Sequence, residues 1–166
     1  MERSVAFFAI LLFAVPLCAQ ELPANARVDR VVVHKAERKL MLMSGAKVLK
    51  TYKVALGGNP TGHKQQQGDS RTPEGNYVLD FRNAHSQFHR ALHISYPNAA
   101  DRASAKRRGV SPGGDIFLHG LPNGYGAVGS AHTLHDWTDG CIAVTNDEIE
   151  EIWRVVKDGT PIEIKP

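Results

Sequence analysis

Apolar positions along the chain fall into short runs punctuated by turn residues, which is the spacing of a mostly β domain. Val31-Val32-Val33, then Lys39 to Met43, then Val48 to Leu56 predict three strands. Lys35-Ala36-Glu37-Arg38 joins the first two and Ser44-Gly45 turns between the second and third, so the domain opens as an antiparallel meander. Gly57-Gly58-Asn59-Pro60-Thr61-Gly62 breaks the pattern, and the polar segment His63 to Arg71 extends the break to Thr72-Pro73-Glu74-Gly75. A loop of this length is either a surface excursion or one wall of a cleft. Alternation resumes from Asn76 to Phe81, with Tyr77, Leu79 and Phe81 on one face.

Leu92 to Tyr96 predicts a further short strand, ended by Pro97, and Asn98 is placed to cap a helix that runs to Gly109. Pro112-Gly113-Gly114 turns the chain into the strand Ile116-Phe117-Leu118, whose counterpart Ile142-Ala143-Val144 follows a loop rich in Gly and His. Thr145 and Glu148 stand in capping-box register ahead of Ile149, Ile152, Trp153 and Val156, which recur on one helical face. Lys157-Asp158-Gly159 ends that helix, and Thr160 to Ile164 reads as a last edge strand. The sum is one α+β domain, mostly β with two short helices, and no repeats or linker.

The N-terminus adds a leader to that domain. Arg3, the apolar run Val5 to Val15 and the small residue Ala19 have the layout of a secretory signal peptide over residues 1–19, which leaves a domain over 28–166. An uncleaved anchor or a buried helix is the alternative, although the run is short for a permanent span. Cleavage leaves no integral membrane segment and places the protein outside the cytoplasm, in the periplasm or cell envelope. Leu17 ahead of Cys18 is too large for a lipoprotein site, and cleavage after Ala19 would leave the exported chain one thiol, Cys141. Such a thiol is buried and inert, paired with another chain, or reactive. The net charge of +3 favours anionic surfaces such as cell-wall polymer. Nucleic acid is disfavoured, because the basic residues are scattered and no aromatic stacking motif accompanies them.

Candidate chemistry gathers at the two short strands around the Gly-rich loop. His119 ends one and Cys141 begins the other, so pairing of those strands would set an imidazole beside a thiol, the components of an activated cysteine nucleophile. A thiol needs a neighbour that favours the thiolate, and an imidazole in reach does this and later protonates a leaving amine. Gly120 and Gly140 remove side chains where substrate and backbone approach closely, and amides around Cys141 are placed to face an oxyanion.

His119-Gly120 followed by Thr138-Asp139-Gly140-Cys141-Ile142 resembles the signature of the L,D-transpeptidase catalytic domain (YkuD) family. Val54-Ala55-Leu56-Gly57 and Thr72-Pro73-Glu74-Gly75-Asn76-Tyr77 resemble two upstream segments of that family, so the likeness spans nearly the whole domain. It implies a β-sandwich with a catalytic cleft and attack by Cys141 on the bond between the diamino acid and D-Ala of a peptidoglycan tetrapeptide stem. D-Ala leaves, and an amine of a second stem, a lysine of a wall-linked lipoprotein, or water resolves the thioester. In this likeness His119 is base and acid, the Gly120 carbonyl orients its ring, and no metal or organic cofactor takes part. Two departures stand out: Asp139 replaces a histidine beside the nucleophile, and Ala143 replaces an arginine. They resemble a side branch with some members that hydrolyse wall to lipoprotein bonds, and they also allow a non-catalytic wall-binding module.

An anionic Asp139 disfavours a thiolate unless it turns away, orients a histidine or serves as a surface turn residue. Thr138, Asp139 and Gly140 are candidate substrate or oxyanion contacts, with Arg71 and Trp137 as further cleft residues, Trp137 being equally open to ordinary packing. Asp136, His93, Ser95 and Asn98 are polar positions that could face the cleft, and Tyr125 could belong to a lid. His85, His89 and His93, with His132 and His135, raise a zinc site. The expected strand at Leu92 to Tyr96 scatters the first three, and no HExxH motif appears.

Overall fold

Turn chemistry sets the opening of the chain. In the computed structural model, which describes residues 21–166, β1 (Arg30–His34), β2 (Lys39–Ser44) and β3 (Lys47–Lys53) form the expected antiparallel meander. Gly45 supplies the positive φ of 56° in the β2–β3 turn. The expected signal peptide, residues 1–19, lies outside the described residues. Among the described residues no helix is long and apolar enough to cross a membrane.

Strands β4 (Gly75–Asn83), β5 (Ala91–Ile94), β6 (Phe117–His119), β7 (Ile142–Ala143) and β8 (Thr160–Lys165) complete one sheet in the order β3-β2-β1-β8-β4-β5-β6-β7. The sheet curls on itself. Beyond β3, Ala55 and Ala143 exchange backbone hydrogen bonds of 3.0 and 2.9 Å, so the continuation of the first strand in the order meets the last. One apolar cluster fills the interior, drawn from every strand and from helix α2 (Asn146–Val155). Leu118 and Ile142, both fully buried, face each other across β6 and β7. Burial of each is worth roughly 1.5–3 kcal/mol and fixes the strand pair that carries the candidate site.

Both helices start where their caps require. Asn98 accepts from the N–H of Ala100 and Asp101 to open α1 (Ala99–Arg108), and Thr145 with Glu148 closes a capping box on α2. The buried face of α2 is Ile149, Ile152 and Val155, while Trp153 is only partly buried and lies under the guanidinium groups of Arg82 and Arg90.

Three elements differ from the sequence expectation. β8 is central, parallel to β1 and antiparallel to β4, because α2 returns the chain across the core and Ile162 and Ile164 are needed inside it. Pro161, a residue that favours edges, stands exposed near the strand's start. Phe81 is 46% exposed, because a register irregularity between Leu79 and Arg82 breaks the alternation. The Gly-rich loop holds a third helical segment, a 3-10 stretch over Gly126–Leu134 kinked at Gly129.

Candidate active site

Parallel pairing of β6 with β7 sets Leu118 against Ile142 and His119 against Ala143. His119 therefore ends one strand while Cys141 immediately precedes the next, and both line a cavity of about 450 Å³ with Phe88, Asp115 and Phe117. The His119 ring is 1% exposed, tilted by 30° against Phe88 at 4.2 Å between centroids and edge-on to Trp137 at 5.9 Å. Its Nδ1 lies 2.6 Å from the carbonyl oxygen of Gly120. A carbonyl only accepts, so Nδ1 carries the hydrogen and the lone pair of the neutral ring is on Nε2. Burial pushes the pKa of His119 down to about 4 against the pull of the Gly120 carbonyl, with His132 adding to the depression.

The sulfur of Cys141 accepts from the Phe117 N–H at 3.4 Å and donates to the Asp115 carbonyl at 3.7 Å. Burial pushes the thiol pKa up, the Phe117 N–H opposes this, the Asp139 charge adds to it, and Lys64 and Asp115 act in opposite senses. The free site thus holds a neutral thiol and a neutral imidazole. A thiolate is not favoured in the resting protein, contrary to the expectation from adjacency alone, because desolvation acts against both ions of the pair.

The turn that presents Cys141 is held from both sides. The Thr138 hydroxyl donates to the Cys141 carbonyl at 2.7 Å and accepts from the Gly140 N–H at 3.1 Å, so Thr138 is a buried clasp and the Gly140 N–H is engaged within the turn. Gly140 has φ +129°, and a Cβ there would stand 2.6 Å from the Arg71 carbonyl oxygen. Gly120 is equally confined, since a Cβ would stand 2.9 Å from both Asn146 Oδ1 and Ile149 Cγ2. Asp139 is exposed at the apex. The loop before Arg71 is a wall under this turn, tied down by Lys64–Asp69, by Gly57 N–H to Thr72 Oγ1 and by Lys35 to Gly62, Thr72 and Glu74.

Other candidates are placed elsewhere. The Arg71 side chain lines a separate pocket of about 280 Å³ with Asn59, Gln65, Gln66 and Asp69, and only its backbone abuts Gly140. Trp137 lines an apolar pocket of about 370 Å³ with Tyr125 and Val128 from the Gly-rich loop. Asp136 pairs with Arg38 and accepts from the Leu56 N–H, His93 pairs with Asp80, Ser95 accepts from the Val78 N–H, and Asn98 caps α1. Among the described residues no group of three His, Cys, Asp or Glu is placed to hold a metal ion. Sequence reasoning missed Phe88 and Asp115. Phe88 lies in an aperiodic polar segment, held to the rest of the fold by long-range bonds such as His89 N–H to Leu121 O and Asn123 N–H to Gln87 O.

With this geometry in place, the comparisons with known proteins agree on one class. Residues 28–164 match the family described as YkuD, L,D-transpeptidase catalytic domain, and the chain belongs to that family. It is 31% identical over 134 residues to an Escherichia coli (strain K12) protein named "Putative L,D-transpeptidase YafK", covering 76% of this chain and 46% of that protein. Among solved structures, the helical cell shape determining protein Pgp2 from Campylobacter jejuni superposes with a TM-score of 0.65 at 26% identity, over 86% of this chain and 49% of that one. Bd1075 from Bdellovibrio bacteriovorus gives a TM-score of 0.57 at 27% identity, over 87% and 53%. The chain thus spans about half the length of these relatives.

Proposed function

We propose that the protein is an exported enzyme that forms a thioester on Cys141 with the peptidoglycan tetrapeptide stem and transfers the acyl group to an amine. The observation that carries this is the shared cavity, with Cys141 and the free Nε2 side of His119 at adjacent strand ends. As the sulfur bonds to the carbonyl carbon before D-Ala, its proton passes to Nε2 of His119. The C–N bond then breaks, the imidazolium returns the proton to the D-Ala nitrogen, and D-Ala leaves. An incoming amine gives up its proton to His119 as it attacks the thioester, and the sulfur recovers that proton on release. Starting from a neutral pair, proton transfer accompanies attack rather than preceding it. The Gly120 carbonyl holds the ring through Nδ1, and the Thr138 clasp holds the nucleophile turn.

Hydrolysis is the second reading, in which water replaces the amine and the bond cut lies in the wall or between wall and lipoprotein. What favours it is the cavity's modest size, about 450 Å³, toward the lower end of the roughly 300–1,000 Å³ usual for small-ligand sites. That is room for one stem more readily than two. The likeness to Pgp2 adds a role in cell shape, served by either outcome.

Incubation of the purified protein with tetrapeptide muropeptides and with lipoprotein-bearing sacculi, followed by mass analysis, separates the readings. Transfer yields D-Ala loss with cross-linked products, and hydrolysis yields D-Ala loss or lipoprotein release alone. Binding to sacculi without either product identifies a wall-binding module and contradicts the proposal.

A further inference from the structure

The cavity shared by His119 and Cys141 has one carboxylate on its walls, Asp115, and no lysine or arginine. That runs against the +3 balance of the chain. The Asp115 side chain is exposed and has no ion-pair or hydrogen-bond partner among the described residues. Its backbone is nevertheless held in place. The residue adopts φ +54°, a left-handed conformation that Asp tolerates better than most residues, and its own carbonyl accepts the Cys141 thiol. One residue therefore serves the sulfur through its backbone and offers the cavity a free negative charge.

We propose that Asp115 determines substrate choice by pairing with the side-chain ammonium of the diamino acid whose carbonyl Cys141 attacks. This rests on the acyl-transfer reading above and names the substrate feature that it requires. An ammonium at the end of a short methylene chain is a cation that an acidic wall near the sulfur attracts, and a stem whose amine is already acylated lacks it. The pairing also helps the chemistry. The Asp115 charge is among those that hold the thiol protonated, and a cation beside it offsets that influence when substrate is present.

The test measures binding of two synthetic tetrapeptide stems, one with a free and one with an acetylated side-chain amine, to Cys141→Ala protein by calorimetry. The free-amine stem should bind about 2- to 5-fold more tightly, the size expected of an exposed charge pair. Adding Asp115→Asn, which keeps the tolerance for the left-handed backbone, should abolish that preference, and Asp115→Lys should reverse it. In otherwise wild-type protein, Asp115→Asn should raise KM for the free-amine stem relative to KM for the acetylated stem. Equal binding of the two stems, or a preference that survives Asp115→Asn, overturns the proposal. If neither stem binds and the wild-type protein releases D-Ala from neither, the acyl-transfer reading itself fails and takes this inference with it.

Discussion

The ring of His119 donates through Nδ1 to the carbonyl of Gly120 at 2.6 Å, while the Cys141 sulfur hydrogen-bonds to Asp115 and Phe117 instead of to that ring. The proposed base and the proposed nucleophile are thus each oriented by backbone, and burial disfavours the charged form of both. Removal of the ring should lower kcat by about 10²- to 10⁴-fold, the usual contribution of a positioned general base. It should leave the thiol's titration nearly unchanged. Alkylation of Cys141 by iodoacetamide against pH, in wild type and His119→Ala, checks both halves. A rise of a full unit in the thiol pKa of the variant would mean that the ring had been stabilising a thiolate.

Asp139 acts on the same thiol from the exposed apex of the turn. Its negative charge is one of the influences that push the Cys141 pKa up, after burial. Asp139→Asn should therefore speed alkylation near neutral pH, and the gain should shrink at about 1 M salt, where the screening length falls to roughly 3 Å. An unchanged rate at low salt would remove Asp139 from the electrostatics of the site.

Gly140 tests the presentation of the nucleophile. A methyl group there meets the Arg71 carbonyl at 2.6 Å and imposes strain on a backbone at φ +129°, so Gly140→Ala should cost about 1–3 kcal/mol in urea denaturation and abolish turnover. Thr138→Val, which removes a hydroxyl engaged in two hydrogen bonds, should be impaired, and Thr138→Ser should recover activity. Equal activity of the Val and Ser variants would contradict the clasp.

Acid should weaken the fold through His119. The folded protein holds this ring at about 4, below its ordinary 6.5, so the unfolded chain binds more protons between those values. Stability is then fully present above pH 6.5 and falls as pH drops toward 4, by about 3 kcal/mol in all. His132, depressed by burial, adds in the same direction. The carboxylates Glu150 and Glu151, held below their ordinary 4.5, lose their contribution only below that pH, so the upper part of the window belongs to histidine. Urea midpoints from pH 7 to 4.5 should decline in wild type and decline less in His119→Gln.

Much of this was legible in the sequence because it is local. The β2–β3 turn, the Asn98 and Thr145 caps, and the Gly before Cys141 each announce themselves within a few residues. The strand that ends in His119 and the one that follows Cys141 were readable as apolar runs, and their adjacency followed once those runs were paired. What escaped was set by distant partners. The Ala55–Ala143 closure, the central place of β8 and the ring contact of Phe88 with His119 join residues far apart in sequence, and no periodicity marks them. The irregularity that turns Phe81 outward depends on what β5 offers opposite it. Charge states escaped for a related reason: adjacency suggested an ion pair, while burial disfavours the charged form of both groups.

Intact-protein mass spectrometry during turnover tests the central claim most directly. Protein mixed with tetrapeptide stem and quenched in acid should gain the mass of the stem less D-Ala, carried on Cys141 as a thioester that hydroxylamine releases. Cys141→Ala should gain nothing. D-Ala release by Cys141→Ala at the wild-type rate, or an adduct carried on any other residue, would contradict the account.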